Sequence, residues 1–154
     1  TISCGATIAW AMECFEEGLL TKEDTGGINV TFGNGDAMVE LVQLIGKRKG
    51  IGDLLAEGVK KATEKIGKRS SKYAMHVKGQ ELPMHDPRVK VGVGIGYAIC
   101  PYGADHMTAP HDTSFTNKDS FSTKSVMPLG IYQPMHPTDI TTEKVKNYIL
   151  NKGK

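Results

Sequence analysis

Apolar residues at Cys4, Ile8, Met12, Phe15 and Leu19 recur at intervals of four, four, three and four. That spacing returns side chains to one face of a 3.6-residue helix and cannot serve a strand, whose faces alternate every second residue. A helix is therefore predicted over residues 3–17, with Ser3 or Thr1 as cap and Gly18 as terminator. The pattern returns at Met38, Leu41, Val42 and Ile45, in a helix that Asp36 could cap and Gly50 could close. It returns again at Leu54, Leu55, Val59, Ala62 and Ile66, with Asp53 as cap and Gly67 as stop. Three helices on short connections imply a bundle.

From Ser71 the pattern changes. Tyr73, Met75 and Val77 alternate with smaller or polar residues, which predicts one short extended segment or hairpin. Val91, Ile95 and Ala98 again share a helical face over residues 91–100, in spite of Gly92, Gly94 and Gly96. Three helical glycines cost about 1 kcal/mol each relative to alanine, so close packing or a cofactor must offset them. Residues 110–140 are rich in Ser, Thr and Pro without a sustained period, and read as a long irregular connection. Thr141 or Thr142 starts a last helix with Val145, Tyr148 and Ile149 as its apolar side, and the ending Asn151–Lys154 reads as frayed. The fold class is mainly α: one multihelical domain over residues 1–154, a length that a single core suits.

A net charge of +2 with 23% charged residues gives no nucleic-acid footprint. The densest basic cluster, Lys60, Lys61, Lys65, Lys68 and Arg69, reads as a solvated helix face with its C-terminal cations. Three widely spaced cysteines, Cys4, Cys14 and Cys100, contain no C-x-x-C pair and suggest neither a zinc site nor a disulfide framework. A reducing cytoplasm fits them, and no apolar run reaches the ~18 residues of a membrane span. A first residue other than Met, leading at once into an amphipathic pattern, suggests a piece of a longer protein.

Chemistry is concentrated between Tyr73 and Asp112, which hold four of the five histidines. The run Gly92-Val-Gly94-Ile-Gly96 misses the G-x-G-x-x-G dinucleotide spacing, so tight helix packing is the preferred reading over phosphate cradling. His106 follows the small residues Gly103 and Ala104 and Asp105, an arrangement that can bring an imidazole to a pocket floor, where it could move a proton near neutral pH. The bland alternative is a satisfied polar histidine. His85-Asp86 and His111-Asp112, with Asp105 and His106 between them, could ligate a divalent metal in the manner of the HD-type phosphohydrolases. Pro87 and Pro110 place both pairs in turns, however, where loop capping by Asp is the better reading. A non-catalytic helical interaction module is the third alternative.

The order of several segments resembles the tungsten-dependent aldehyde:ferredoxin oxidoreductases. Residues 76–83 (HVKGQELP), Asp86-Pro87-Arg88, Tyr97-Ala98 and Gly103-Ala104-Asp105-His106 follow a series typical of that family. Residues 8–20 (IAWAMECFEEGLL), Phe32-Gly33-Asn34 and residues 51–59 (IGDLLAEGV) resemble its helical signatures, so the likeness covers most of the first 112 residues. It implies a portion of an enzyme that oxidises aldehydes to carboxylic acids and passes electrons through a [4Fe-4S] cluster to ferredoxin. Tungsten there is held by two pterins, with no obligatory protein ligand. His106 matches the pocket histidine expected to assist proton transfer, and Tyr73 and Asp105 match pocket-side positions. Lys78 and Arg88 could meet pterin phosphates, against a bland reading of surface ion pairing. The family's cluster cysteines and pterin loops would fall outside residues 1–154, so this portion alone is expected to bind neither tungstopterin nor cluster stably. Its partners would be the other domains of the same enzyme.

Overall fold

The computed structural model describes residues 2–67 and 69–150; the possible cap Thr1, Lys68 of the basic cluster and the ending 151–154 lie outside them, as does the Tyr148 side chain. The chain divides into two compact units, Thr1–Leu82 and Pro83–Lys154, where length alone favoured one core. Each unit gathers its own buried apolar cluster. Among the described residues the structure is mainly helical, with a single two-stranded hairpin.

The first unit is organised around α1, Ile2–Glu16, which packs against α2 (Gly35–Lys47), α3 (Ile51–Leu55) and α4 (Val59–Ile66). The expected stripe is present, but Trp10, Ala11 and Cys14 are buried as well as Ile8 and Met12. A helix apolar on so much of its circumference belongs in the middle of a unit. Trp10 satisfies its one polar atom by donating from Nε1 to the Ser70 carbonyl at 3.1 Å. Ser3 lies inside α1 rather than capping it.

Other helix boundaries differ from the sequence reading as well, and Asp53, expected as a cap, lies inside α3. Asn34, not Asp36, caps α2, its side-chain oxygen accepting from Ala37 N at 3.1 Å, and Arg48 in the left-handed region closes that helix. Asp36 lies in the first turn, where its charge suits the helix dipole. The single helix expected over residues 53–66 is two, because Gly58 at φ +83° breaks it and Glu81 Oε1 accepts from Val59 N at 2.7 Å. That carboxylate is buried and caps α4 from 22 residues away. Gly67 ends α4 as expected. The hairpin pairs β1 (His76–Val77) antiparallel with β2 (Gln80–Glu81), which is what places Glu81 at α4.

The second unit contains α5 (Val91–Ile99), α6 (Phe121–Val126) and α7 (Thr142–Leu150). The stretch 110–140, read as irregular, holds α6 and two 3-10 turns, Asp112–Phe115 and Met127–Leu129. Phe115, Val126, Ile131 and Met135 form a small buried cluster there. Its apolar residues are too irregularly spaced to show a period, yet they converge once the chain turns. Helix α7 reverses its expected orientation: Val145 and Ile149 are exposed, and Lys144 and Asn147 are buried.

Candidate functional site

Helix α5 explains how the second unit assembles. A Cβ added to Gly96 would stand 2.6 Å from the Ala109 Cβ, and one added to Gly94 would stand 2.9 Å from the Pro87 Cβ. The glycines therefore admit neighbouring chain at distances a side chain would forbid, in line with the packing reading. The free N–H groups at the start of α5 do meet an anion, but it belongs to the protein. Asp112 accepts from Gly92 N through Oδ1 and from Val93 N through Oδ2, both at 2.9 Å.

Lys144 of α7 completes this centre, its Nζ 2.9 Å from Asp112 Oδ1 with side chains 1% and 0% exposed. The ammonium also donates to the carbonyls of His136 and Pro137. A charge pair so far from water persists because both ions have further hydrogen-bond partners. Its consequence is positional: Asp112 is bound to the first turn of α5, so the preceding His111 is held beside Lys90, the residue immediately before that helix.

Three imidazoles meet there. The ring centroids of His85 and His111 are 4.3 Å apart, those of His85 and His106 5.1 Å, and those of His106 and His111 5.8 Å. Lys90 Nζ lies 3.4 Å from Nδ1 of both His85 and His111. These are long contacts, and with the ammonium as donor both Nδ1 atoms accept, leaving each Nε2 to carry the proton. Tyr97 of α5 fixes His85 from behind by donating its hydroxyl to the His85 carbonyl at 3.2 Å. Burial lowers the pKa of His85 below the usual imidazole value, and the charges of His111, Lys90 and His106 add to the effect. Burial also lowers that of His111, helped by Lys90 and His106 and opposed by Asp112.

Of the residues singled out in the sequence, His106 is therefore in a cluster with two others. Asp105 turns away from ligand chemistry by accepting from Met107 N at 2.8 Å, within its own turn. Arg88 is exposed and gives its guanidinium to Asp86, which also accepts from Arg88 N at 2.8 Å. The neighbouring guanidinium holds the Asp86 carboxyl down at about 2. Tyr73 and Lys78 belong to the first unit. Tyr73 donates to Glu17 at 2.9 Å, beside a cavity of about 260 Å³ also lined by Leu19, Arg69 and Lys72, and Lys78 lies exposed in the hairpin turn at φ +55°. The hydrolase alternative loses both carboxylates, Asp86 to Arg88 and Asp112 to α5 and Lys144. Among the described residues no set of three His, Cys, Asp or Glu side chains is arranged to hold a metal ion.

Sequence reasoning missed Lys90 and Lys144. Lys90 carried a faint signal, sitting between two proline-bounded His-Asp pairs immediately before a helix. Lys144 carried none, since a lysine beside apolar Val145 normally faces water.

The family model described as aldehyde ferredoxin oxidoreductase, domains 2 and 3, matches residues 1–152. The chain belongs to the aldehyde ferredoxin oxidoreductase family. It is 41% identical over 153 residues to a tungsten-containing aldehyde ferredoxin oxidoreductase of Pyrococcus horikoshii, covering 97% of this chain and 23% of that protein. It is 38% identical over 111 residues to an aliphatic sulfonate oxidoreductase, WOR-like subunit, of Pyrococcus furiosus, covering 68% of this chain and 18% of that protein. A solved structure of the active-site complex BamBC of benzoyl coenzyme A reductase matches 64% of this chain and 16% of its own at 32% identity, with a TM-score of 0.49. The chain thus spans about a quarter of the length of its relatives. Among the described residues no helix is long and apolar enough to cross a membrane.

Proposed function

We propose that the chain is part of an enzyme that oxidises an aldehyde to a carboxylic acid, with His106 as the residue that moves a proton at the substrate. The observation that carries this reading is the placement of His106 among His85 and His111, in a chain matched by the family model over residues 1–152. Electrons would pass to ferredoxin, and the whole protein would work in the cytoplasm.

A tungsten bis-pterin, or its molybdenum counterpart, would supply the two-electron chemistry in the complete enzyme, and a [4Fe-4S] cluster would relay the electrons. The cysteines of this chain do not fit a cluster. Cys4 and Cys14 lie on α1, and burial, with Glu13 adding to it, pushes the Cys14 thiol up to about 11. A thiol held protonated is a poor metal ligand. Nor do the described residues gather a metal-ligand set for tungsten. The contribution of this chain is instead to present imidazoles. His106 accepts the proton that a hydrated or bound aldehyde loses on oxidation.

The test is steady-state kinetics of the full-length enzyme with His106→Ala. We expect kcat to fall about 10²-fold or more, the usual worth of a positioned acid or base, while tungsten content stays near that of the parent. Unchanged kcat at saturating aldehyde would remove His106 from the reaction.

A further inference from the structure

We propose that Lys90 and the imidazoles of His85, His106 and His111 form a binding site for a small carboxylate. The cluster is rich in donors and poor in acceptors. Lys90 contributes an ammonium, and its contacts at 3.4 Å with Nδ1 of His85 and His111 leave both Nε2 atoms as donors. The nearby carboxylates are engaged elsewhere. Asp86 is paired with Arg88, Asp105 accepts from Met107 N, and Asp112 is held by Gly92 N, Val93 N and Lys144. Asp112 raises the basicity of His111. His85, Lys90, His106 and His111 are all half-buried, so their charges are only partly screened by water.

An oxyanion resolves this imbalance. It accepts from Lys90 and from imidazole N–H groups, which are charge-assisted bonds of the stronger kind. It also reverses the mutual repulsion among the histidines, so binding is accompanied by proton uptake and strengthens as pH falls. Carboxylate is chosen over phosphate because it is the class of product that the proposed oxidation releases. The choice of carboxylate rests on that reading, whereas binding is measured without turnover and can succeed or fail independently of it.

The test is calorimetric titration of acetate, and separately of inorganic phosphate, into the full-length protein at constant ionic strength set with chloride. Acetate is expected to saturate one site and to bind about tenfold tighter at pH 6 than at pH 8, the effect of about half a proton taken up on average across that range. Repeating the titration in two buffers of different ionisation enthalpy reads that proton uptake on the unaltered protein. Lys90→Met should weaken binding about tenfold or more, and Lys90→Arg should retain it. No saturable acetate binding, equal affinity at both pH values without proton uptake, or acetate binding unaffected by Lys90→Met would each overturn the proposal. Phosphate binding without acetate binding would overturn the carboxylate assignment. Stoichiometric zinc uptake abolished by His111→Asn would show the imidazoles to be metal ligands instead, and would also overturn it.

Discussion

Replacing Lys144 with Met should unfasten the second unit from within. The substitution keeps most of the apolar volume and removes a cation whose side chain is 1% exposed, leaving the Asp112 carboxylate at 0% exposure with only two amide donors. Removing one partner of a buried pair typically costs about 3–5 kcal/mol, because the remaining ion is uncompensated. Asp112→Asn acts on the same centre. It removes the opposing charge and converts one acceptor into a donor facing α5, so a cost of similar size is expected. In the double variant no lone buried charge is left, and the total should fall short of the sum of the singles by about 2 kcal/mol or more. The only Trp, Trp10, lies in the first unit and would miss this event. Native-state hydrogen exchange of the α5 and α7 amides reports it directly. A loss of about 3 kcal/mol lowers protection about two orders of magnitude. If Lys144→Met leaves that protection within a factor of about five, or if the two single effects simply add, the pair is not the fastener inferred from its geometry.

Three further outcomes follow from the same structure. Gly46, in α2 with nothing within 4 Å of an added Cβ, and Gly96, whose Cβ would stand 2.6 Å from that of Ala109, are both helical. Gly46→Ala should stabilise by about 0.5–1 kcal/mol and Gly96→Ala should destabilise by about 1–3 kcal/mol in urea unfolding; the same sign for both would refute the packing account of the glycine run. His85 and His111 should titrate below the ordinary imidazole value in proton NMR, and Lys90→Met should move both midpoints upward. Because their folded pKa values lie below the unfolded value near 6.5, the unfolded chain binds protons first as pH falls. The second unit should accordingly lose stability once pH drops below that unfolded value, and His85→Gln with His111→Gln should flatten the loss in acid-range thermal melts.

Helix positions were largely legible. The recurrence at Cys4, Ile8, Met12 and Phe15 locates α1, and Leu55, Val59 and Ala62 mark the buried faces of α3 and α4. The boundary between α3 and α4 was not legible, since Glu81 stabilises the start of α4 through a hydrogen bond from Val59 N across 22 residues. Local spacing also misjudged Met38 and Val42, which are about half exposed in α2 although they share its apolar repeat. The density of histidines between Tyr73 and Asp112 was legible, but which imidazoles meet was not. Asp86 caps its own turn by accepting from Arg88 N, as the loop-capping reading expects, whereas Asp112 is engaged by Lys144 and the start of α5, partners that only folding brings close.

By itself the sequence determined that this chain is mainly helical, that its glycine-rich segment packs closely, and that His106 belongs where small residues lead to an imidazole. Periodicity and residue size act over one or two turns, so they are written in neighbouring positions. The tertiary structure decided which charges remain available for chemistry. Lys144 was turned inward against its own helix's apolar side because Asp112 and two carbonyls offer it partners in the interior. Lys90 was left among imidazoles because the nearby carboxylates were already taken. Electrostatic pairing depends on distance in space, and for partners as far apart in the chain as Asp112 and Lys144 no local pattern encodes it.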